Sequence, residues 1–221
     1  MKFVVRSISG STTTYIMNSE IREKFESFKG GKSVKGTETE KNLLKAFAGE
    51  SQARNRYHLF AEQARADGYE QIAALFEETA HNEKLHAQIF FSFLEGEAVE
   101  ITASYPAGKV GSTYENLIAA AEGEHEEFVE LYPEFAEVAK KEGFNRIANQ
   151  FRMIAKIEEQ HELRYRQLAE NVKEEQVFAK EEETVWVCRE CGHIHTGKKV
   201  PGMCPVCLQS KAFFEVEAKN Y

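Results

Sequence analysis

Four cysteines near the C-terminal end are the residues whose chemistry is easiest to predict. They occur as two Cys-x2-Cys pairs with twelve residues between the pairs, and the first 187 residues contain no cysteine. Thiolates at this spacing can surround one ion tetrahedrally, so the pattern predicts a site for zinc or for a single iron. A disulfide framework is disfavoured, because it would spread its bridges through a small secreted domain. The predicted ligands are Cys188, Cys191, Cys204 and Cys207.

A second set of candidate ligands consists of glutamates and histidines within residues 37–174. In two places a glutamate precedes a histidine by three residues, which puts both side chains on one face of a helix. Two further helices carry glutamates on the stripe expected to face the interior. Buried carboxylates repel one another unless cations neutralise them, so the pattern predicts a di-iron type of carboxylate site. The predicted ligands are Glu50, Glu83, His86, Glu124, Glu127, Glu158 and His161.

The two halves of this pattern repeat at nearly the same interval. Glu50 precedes Glu83 by 33 residues. Glu124 precedes Glu158 by 34 residues, so each half of the helical region carries one half-site. Glu-x-x-His spacing alone is not diagnostic, because Glu122–His125 shows it as well. That pair lies off the predicted interior stripe, and we assign it to a solvated helix face.

The types of ligand narrow the choice of metal. Carboxylates and imidazoles suit iron or manganese, and oxygen chemistry favours iron. The cysteine spacing by itself leaves zinc and iron open, but zinc is redox-inert, whereas a single thiolate-bound iron carries one electron. Electron delivery to a di-iron site therefore favours iron at the cysteines. His193 and His195 are not expected to bind metal, because four thiolates already complete the shell.

Two tyrosines are placed where they could face the carboxylate site. Tyr57 lies two helical turns after Glu50, and Tyr132 lies five residues after Glu127. Ordinary core packing and a hydrogen bond to a ligand carboxylate are both open interpretations for each ring.

The elements that must position these residues are predicted to be four helices. Their composition is strongly helix-forming, and Thr37 and Ser112 are candidate capping residues. Pro133 is expected to kink or break the third helix. Two joints are short and the middle one, 97–111, is long, which is typical of a ferritin-like four-helix bundle with one long crossover. The predicted helices span 37–66, 69–94, 112–142 and 144–173.

The remaining sequence suggests four segments in all. Residues 1–36 are rich in Ser, Thr, Gly and Lys and are expected to form a mobile extension, with a short possible helix at 18–28. Residues 37–174 form the bundle, and 175–183 a charged linker. Residues 184–221 form a small β and knuckle domain around the cysteines, with strand-like runs at 184–187 and 212–216. The fold class is therefore mainly α with a small C-terminal domain.

Composition excludes several classes of function. The chain has 221 residues and a formal net charge of −8, which disfavours nucleic-acid binding because that requires a basic face. No apolar run is long enough to span a bilayer. The first residues lack the apolar core of a secretory signal, so we expect a cytoplasmic protein that binds neither membrane nor nucleic acid.

Several stretches carry a resemblance to a known family. In the helical region they are Glu50–Tyr57, Asn82–His86, Gly123–Glu127, Tyr132–Phe135 and Glu158–His161. In the C-terminal region, which is similar to rubredoxin, they are Trp186–Gly192 and Cys204–Cys207. From Lys32 onward the sequence resembles the rubrerythrin family. Two independent metal motifs in this order make the resemblance specific.

The resemblance implies a non-haem di-iron peroxidase that reduces hydrogen peroxide to water and protects against oxidative stress. It implies a role for each ligand: bridging for Glu83 and Glu158, terminal for Glu50 and Glu124, and binding to one iron for His161. On the other iron, His86 would exchange with Glu127 as the oxidation state changes. The four-cysteine iron would pass electrons to the di-iron site, across a head-to-tail homodimer or a larger oligomer. An NAD(P)H-linked reductase or a small electron carrier would be the donor.

Two other functions remain alternatives at this point. A ferritin-like protein that oxidises and stores iron would use the same bundle, although the cysteine module and the additional Glu127 weigh against it. A zinc-ribbon interaction module on a helical scaffold would use the same cysteines. The acidic charge and the predicted buried carboxylates oppose that second alternative.

Overall fold

The computed structural model describes residues 23–24 and 31–219. Most of the expected N-terminal extension, including nearly all of the possible helix at 18–28, lies outside the described residues. The stretch 31–36 is described, and there the expectation of mobility is wrong. Val34 is fully buried, and its N–H donates to Glu95 Oε1 at 3.2 Å. Ser33 Oγ donates to the other oxygen of the same carboxylate at 2.6 Å, so the chain is fixed before the first helix begins.

Five α-helices account for most of the described chain. The helices α1 and α2 pack as one antiparallel hairpin, and α5 packs against both α3 and α4 as the second. A long crossover joins the hairpins, as expected of a ferritin-like bundle. The helices are α1 (Glu38–Ala66), α2 (Glu70–Ser92), α3 (Thr113–Glu126), α4 (Tyr132–Lys141) and α5 (Asn145–Lys173).

The third predicted helix is neither a single α-helix nor broken at Pro133. A π-helical turn, Glu127–Leu131, joins α3 to α4, and the N–H of Tyr132 bonds to the carbonyl of Glu127, five residues back. Proline lacks an N–H and so cannot continue the regular hydrogen-bond ladder, and the wider turn just before it accommodates that loss. The turn adds one residue to the second hairpin, which matches its 34-residue interval against 33 in the first.

Each hairpin turn caps a helix of the other hairpin. Asp67, just after α1, accepts hydrogen bonds from the N–H and the hydroxyl of Thr113 at the start of α3, at 2.9 and 2.6 Å. Glu142, just after α4, accepts from the N–H groups of Glu38 and Thr39 at the start of α1. Although partial burial opposes it, these bonds lower the pKa of both carboxyls. The caps therefore fix how the hairpins sit against each other.

The apolar core of the bundle is divided into two clusters. One cluster contains Leu43, Phe90 and Phe151, and the other contains Phe76 and Leu117. The buried glutamates and histidines of α1, α2, α3 and α5 belong to neither cluster. In sequence they fall between the members of the two clusters, so the polar residues form a layer across the middle of the bundle.

The C-terminal domain is a three-stranded antiparallel sheet with strand order β2-β1-β3. The strands are β1 (Ala179–Cys188), β2 (Ile194–Lys199) and β3 (Phe214–Val216). The predicted linker 175–183 is therefore wrong from Ala179 onward, because Ala179 already pairs with Lys199 in β2. Phe178, just before β1, stacks on Tyr69 of the bundle at 5.7 Å, which shortens the free connection further. Among the described residues, no helix is long and apolar enough to cross a membrane.

Tyr165 provides a stability prediction. Its side chain is fully buried and its hydroxyl has no hydrogen-bond partner. The equivalent position of the other hairpin, seven residues after the glutamate of the Glu-x-x-His pair, is Phe90. Both rings pack against a tyrosine at 5.5 Å, so a phenyl ring is sufficient for this contact. We expect Tyr165→Phe to raise the free energy of unfolding by about 1 kcal/mol, because an unpaired buried hydroxyl is removed.

Chemical denaturation of the metal-free protein would measure this change. Phe90→Tyr is the matched reverse substitution and should destabilise the protein. A lower stability of Tyr165→Phe would mean that the hydroxyl has a partner after all.

Candidate metal centre

Helix periodicity brings the ionisable residues into one layer. In α2 and α5 the glutamate and histidine of each pair are three residues apart, so both side chains leave the same helix face. Single glutamates from α1 and α3 complete the layer. All six residues are at least 95% buried: Glu50, Glu83, His86, Glu124, Glu158 and His161.

The first group of ligand atoms centres on His86. Its Nδ1 lies 2.9 Å from Glu83 Oε2, 3.1 Å from Glu158 Oε1 and 3.7 Å from Glu50 Oε2. These four residues offer atoms that all lie within 4.8 Å of one another. Three carboxylates and one imidazole at this separation could hold one metal ion.

The second group repeats the first around His161. Its Nδ1 lies 2.9 Å from Glu158 Oε2, 3.2 Å from Glu83 Oε1 and 3.5 Å from Glu124 Oε2. Glu83 and Glu158 therefore each present one oxygen to each group. Two carboxylates shared in this way could bridge a pair of ions.

The pattern of missing hydrogen bonds fits a metal pair. Six of the buried side-chain atoms without a hydrogen-bond partner point into the two groups: Glu50 Oε2, Glu83 Oε1, Glu124 Oε2, both oxygens of Glu158 and His161 Nδ1. Buried polar atoms without partners are costly, and coordination to cations would satisfy all of them at once. The donor set is rich in carboxylate with one imidazole per ion, which suits iron.

The two tyrosines are hydrogen-bonded across the hairpins rather than only packed. Tyr57 in α1 donates to Glu124 Oε1, and Tyr132 at the start of α4 donates to Glu50 Oε1. Each of these glutamates thus gives one oxygen to a tyrosine and turns the other toward the histidine group. The tyrosines hold the two unshared carboxylates in place.

Removing either hydroxyl should weaken the metal site. In Tyr57→Phe the Oε1 of Glu124 loses its donor inside the protein, and the carboxylate becomes free to rotate. We expect a 10–100-fold loss in iron affinity or turnover, the usual size for a group that orients a ligand. Competition with an iron chelator would measure the affinity. Tyr105→Phe is a control, since that hydroxyl donates to the carbonyl of Lys45 and not to a ligand.

The metal-free site holds several protons. Burial raises the pKa of Glu124 to about 8, and the charge of Glu83 adds to this effect. Burial and His86 act in opposite directions on Glu50, and burial prevails, so the pKa of Glu50 is raised well above its usual value. For His161 burial opposes the charged form, but contacts with Glu124, Glu158 and Glu83 raise its pKa to about 12. Glu83 is the exception: despite burial, contacts with both imidazoles lower its pKa to about 2.

Metal binding at neutral pH should therefore release protons. A ligand carboxylate must be ionised and a ligand imidazole neutral, whereas metal-free Glu124 and His161 are both protonated at pH 7. We expect apparent affinity for a divalent metal to rise with pH, and the number of protons released to fall above about pH 8, where Glu124 is already ionised. Calorimetry in buffers of different ionisation enthalpy would count the protons. A proton count of zero at pH 7 would contradict this expectation.

Glu127 is the predicted ligand that the structure does not bring into either group of four. It opens the π-helical turn and is only partly buried. Burial, followed by the charges of Glu50 and Glu124, raises its pKa well above the usual value. Glu127 lines a cavity beside the layer, so it lies next to the two groups rather than within them. No feature of the sequence distinguished its position from that of Glu124.

Glu122–His125, the pair assigned to a solvated face, is outside both groups. The His125 side chain is 51% exposed, and its Nδ1 lies 3.0 Å from Glu162 Oε2.

The four cysteines come together as a separate site. Their sulfurs all lie within 4.8 Å of one another; Cys188 and Cys207 are 3.7 Å apart, and Cys191 and Cys204 are 3.6 Å apart. Tetrahedral thiolates with metal–sulfur bonds of about 2.3 Å have sulfurs about 3.8 Å apart. The cage therefore has the size that a single ion requires.

The two cysteine loops have the same backbone shape. The N–H of the residue after each second cysteine bonds to the carbonyl of the first: Gly192 to Cys188 at 2.8 Å, and Leu208 to Cys204 at 3.0 Å. Gly192 and Leu208 both have positive φ, 76° and 64°. Although burial opposes it, backbone N–H groups of Cys207 and Val206 lower the pKa of Cys204 to about 7. Amides directed at a sulfur favour the thiolate that binds metal.

Comparison with protein families gives two matches along the chain. Residues 41–169 match the family model described as Rubrerythrin, and residues 186–215 match the model described as Rubrerythrin, rubredoxin-like domain. A rubrerythrin of Porphyromonas gingivalis is 58% identical over 190 residues, covering 86% of this chain and 95% of the relative. A rubrerythrin of Nitratidesulfovibrio vulgaris is 52% identical, covering 86% of this chain and all of the relative.

Solved structures give a consistent picture. Nigerythrin in a fully reduced, all-ferrous state has a TM-score of 0.53 at 31% identity, and the match covers 84% of this chain and 92% of nigerythrin. Symerythrin from Cyanophora paradoxa, reduced with dithionite, has a TM-score of 0.53 at 25% identity, covering 69% of this chain and 93% of symerythrin.

Proposed function

The chain belongs to the rubrerythrin family, and from that premise we propose that it is a non-haem di-iron peroxidase that reduces hydrogen peroxide to water and protects against oxidative stress. Its bundle carries the di-iron carboxylate site, and its C-terminal domain carries the four-cysteine iron site. The observation that carries the proposal is the presence of both sites in one chain. A four-thiolate iron accepts single electrons, and a peroxidase needs two electrons at the site of reduction. Iron storage would have no use for such an electron entry.

The ligand set that we propose follows the symmetry of the two groups. Glu83 and Glu158, which face both groups, bridge the irons. Glu50 and His86 complete one shell, and Glu124 and His161 the other. The mononuclear iron takes Cys188, Cys191, Cys204 and Cys207.

When bound, the irons supply electrons and Lewis acidity to the peroxide oxygens. The residues of the chain hold and shield the site. Tyr57 and Tyr132 fix the unshared glutamates, and the apolar clusters on either side of the layer exclude water. Glu127 keeps its carboxyl at the wall of the adjacent cavity, where it can hold a proton or replace His86 as a ligand.

The donor and the assembly are part of the same proposal. Electrons enter at the four-cysteine iron from an NAD(P)H-linked reductase or a small electron carrier. A head-to-tail homodimer, or a larger oligomer, brings the cysteine site of one chain to the bundle of another. The cysteines are free thiols, which fits a reducing compartment, and we place the protein in the cytoplasm.

Rapid mixing tests the peroxidase assignment. The fully reduced protein is mixed anaerobically with hydrogen peroxide, or separately with O2, while the visible colour of ferric thiolate iron is followed. We expect the colour to return rapidly with peroxide and much more slowly with O2. A faster reaction with O2 would favour iron oxidation and storage instead. If no colour forms, the cysteines do not hold redox-active iron, and the proposal loses its electron entry.

A further inference from the structure

A cavity of about 320 Å³ lies beside the metal layer, between α1, the crossover and the π-helical turn. Its wall includes Glu127 and also Tyr132, whose hydroxyl holds Glu50. The cavity is therefore directly next to the groups that we propose as iron ligands. Much of the rest of its lining is apolar: Ala46, Tyr105, Pro106, Leu131 and Phe135.

Two glycines inside helices enlarge this cavity. Gly49 and Gly123 each directly precede the unshared glutamate of their helix, and both line the cavity. A Cβ on Gly49 would lie 3.6 Å from Tyr105 Cε1 and 3.7 Å from Glu127 Oε1. Glycine inside a helix costs roughly 1 kcal/mol relative to alanine, and a Cβ at Gly49 would make only ordinary contacts. The gap between Tyr105 and Glu127 is thus kept open at the expense of helix stability.

The cavity also offers a free hydrogen-bond donor. Arg56 lines it, and the buried Nε of Arg56 has no hydrogen-bond partner in the part of the chain that the structure describes. A buried N–H without a partner favours a ligand oxygen. The cavity therefore combines an apolar wall with one unsatisfied donor and a carboxyl group.

The volume is larger than hydrogen peroxide needs. One water occupies about 30 Å³, so the cavity has room for roughly ten waters. Hydrogen peroxide, with its two oxygens, would leave most of the space and the apolar wall unused.

We propose that this cavity binds the organic part of small alkyl hydroperoxides, which makes them substrates alongside hydrogen peroxide. This inference rests on the proposed peroxidase function. The reaction is ROOH + 2 e⁻ + 2 H⁺ → ROH + H2O: the O–O bond breaks, the reduced irons give both electrons, and the alcohol leaves through the cavity. The alkyl group lies between Gly49, Tyr105 and Leu131, with the hydroperoxide directed toward Glu127.

Steady-state kinetics with tert-butyl hydroperoxide and hydrogen peroxide test the proposal on the iron-loaded full-length protein. We expect kcat/KM for the two substrates to agree within about ten-fold. In Gly49→Ala the added methyl group narrows the cavity while favouring the helix, so the variant should fold. Its ratio of organic to inorganic kcat/KM should fall by about ten-fold, the usual effect of one methyl group in an apolar pocket. Ala66→Leu, exposed at the end of α1, is the control and should leave the ratio unchanged.

Crystals of the iron-loaded protein soaked with tert-butanol, the product alcohol, give a readout independent of turnover. Density for the alcohol is expected between Gly49 and Tyr105, and it should be lost in Gly49→Ala. If hydrogen peroxide is reduced but tert-butyl hydroperoxide is not, this inference is wrong and the peroxidase function stands. If both substrates fail, the proposed function itself fails. An unchanged substrate ratio in Gly49→Ala, or alcohol bound only elsewhere, would also overturn the role of the cavity.

Discussion

Replacing Glu158 by glutamine should remove both irons from the bundle and lower peroxidase turnover by about 10³-fold, since the metals supply several kcal/mol of stabilisation to the reaction. The physical reason is the position of Glu158 between the two groups. Its Oε1 lies 3.1 Å from His86 and its Oε2 lies 2.9 Å from His161, and neither oxygen has a hydrogen-bond partner. An amide offers only one weakly basic oxygen, so it cannot serve both ions.

Metal analysis would check this directly. The iron content per chain should fall from three to one, with the ferric thiolate colour retained. Glu50→Gln is the informative comparison, because Glu50 faces only the His86 group and its loss should weaken mainly one ion. Glu159→Gln, one residue along α5 and outside both groups, is the matched control and should keep all three irons. Full iron content in Glu158→Gln would mean that Glu158 is not a bridging ligand.

Replacing Cys204 by serine should separate electron entry from peroxide reduction. Cys204 is fully buried, and the buried core of the C-terminal domain consists only of Trp186, Cys188, Cys204 and Phe214 among the described residues. A domain with so small a core depends on its metal to fold. We expect loss of the thiolate-bound iron, loss of amide protection in β1 and a fall of at least about 10²-fold in donor-driven turnover, because the one-electron carrier is missing.

The bundle itself should remain active in this variant. When Cys204→Ser is reduced chemically and mixed once with hydrogen peroxide, oxidation of the di-iron site should stay within about two-fold of the parent protein, since no bundle ligand is changed. His195→Ala is the matched control. Its imidazole Nε2 lies 3.0 Å from the carbonyl of Lys199 and outside the cysteine cage, so iron content and turnover should not change. If donor-driven turnover in Cys204→Ser also stayed high, electrons would be entering the bundle by another route.

Local patterns in the sequence were sufficient for the helices and for the types of ligand. The Glu-x-x-His spacing depends only on helix geometry, so Glu83 with His86 and Glu158 with His161 could be placed on common faces without knowledge of the fold. The Cys-x2-Cys pairs are equally local. The crossover length likewise predicted the ferritin-like topology, and the family comparisons confirm the resemblance.

The sequence was less informative where the backbone departs from regular helix or where strands pair at a distance. The π-helical turn at Glu127–Leu131 could not be inferred from Pro133 alone, which predicts a disturbance without specifying its form. The start of β1 at Ala179 depends on its pairing with Lys199, and this pairing becomes visible only once β2 is in place.

The tertiary structure alone decided how the ligand atoms are shared. Tyr57 and Glu124 are 67 residues apart, and Tyr132 and Glu50 are 82 apart, so these hydrogen bonds form only when the two hairpins dock. Docking also selects which glutamates face both histidines and leaves Glu127 at the cavity instead of in a group. Helix periodicity determines the face on which a side chain lies, because it is set by neighbours in the chain. The partner across the core depends on packing between distant segments, which no local pattern encodes.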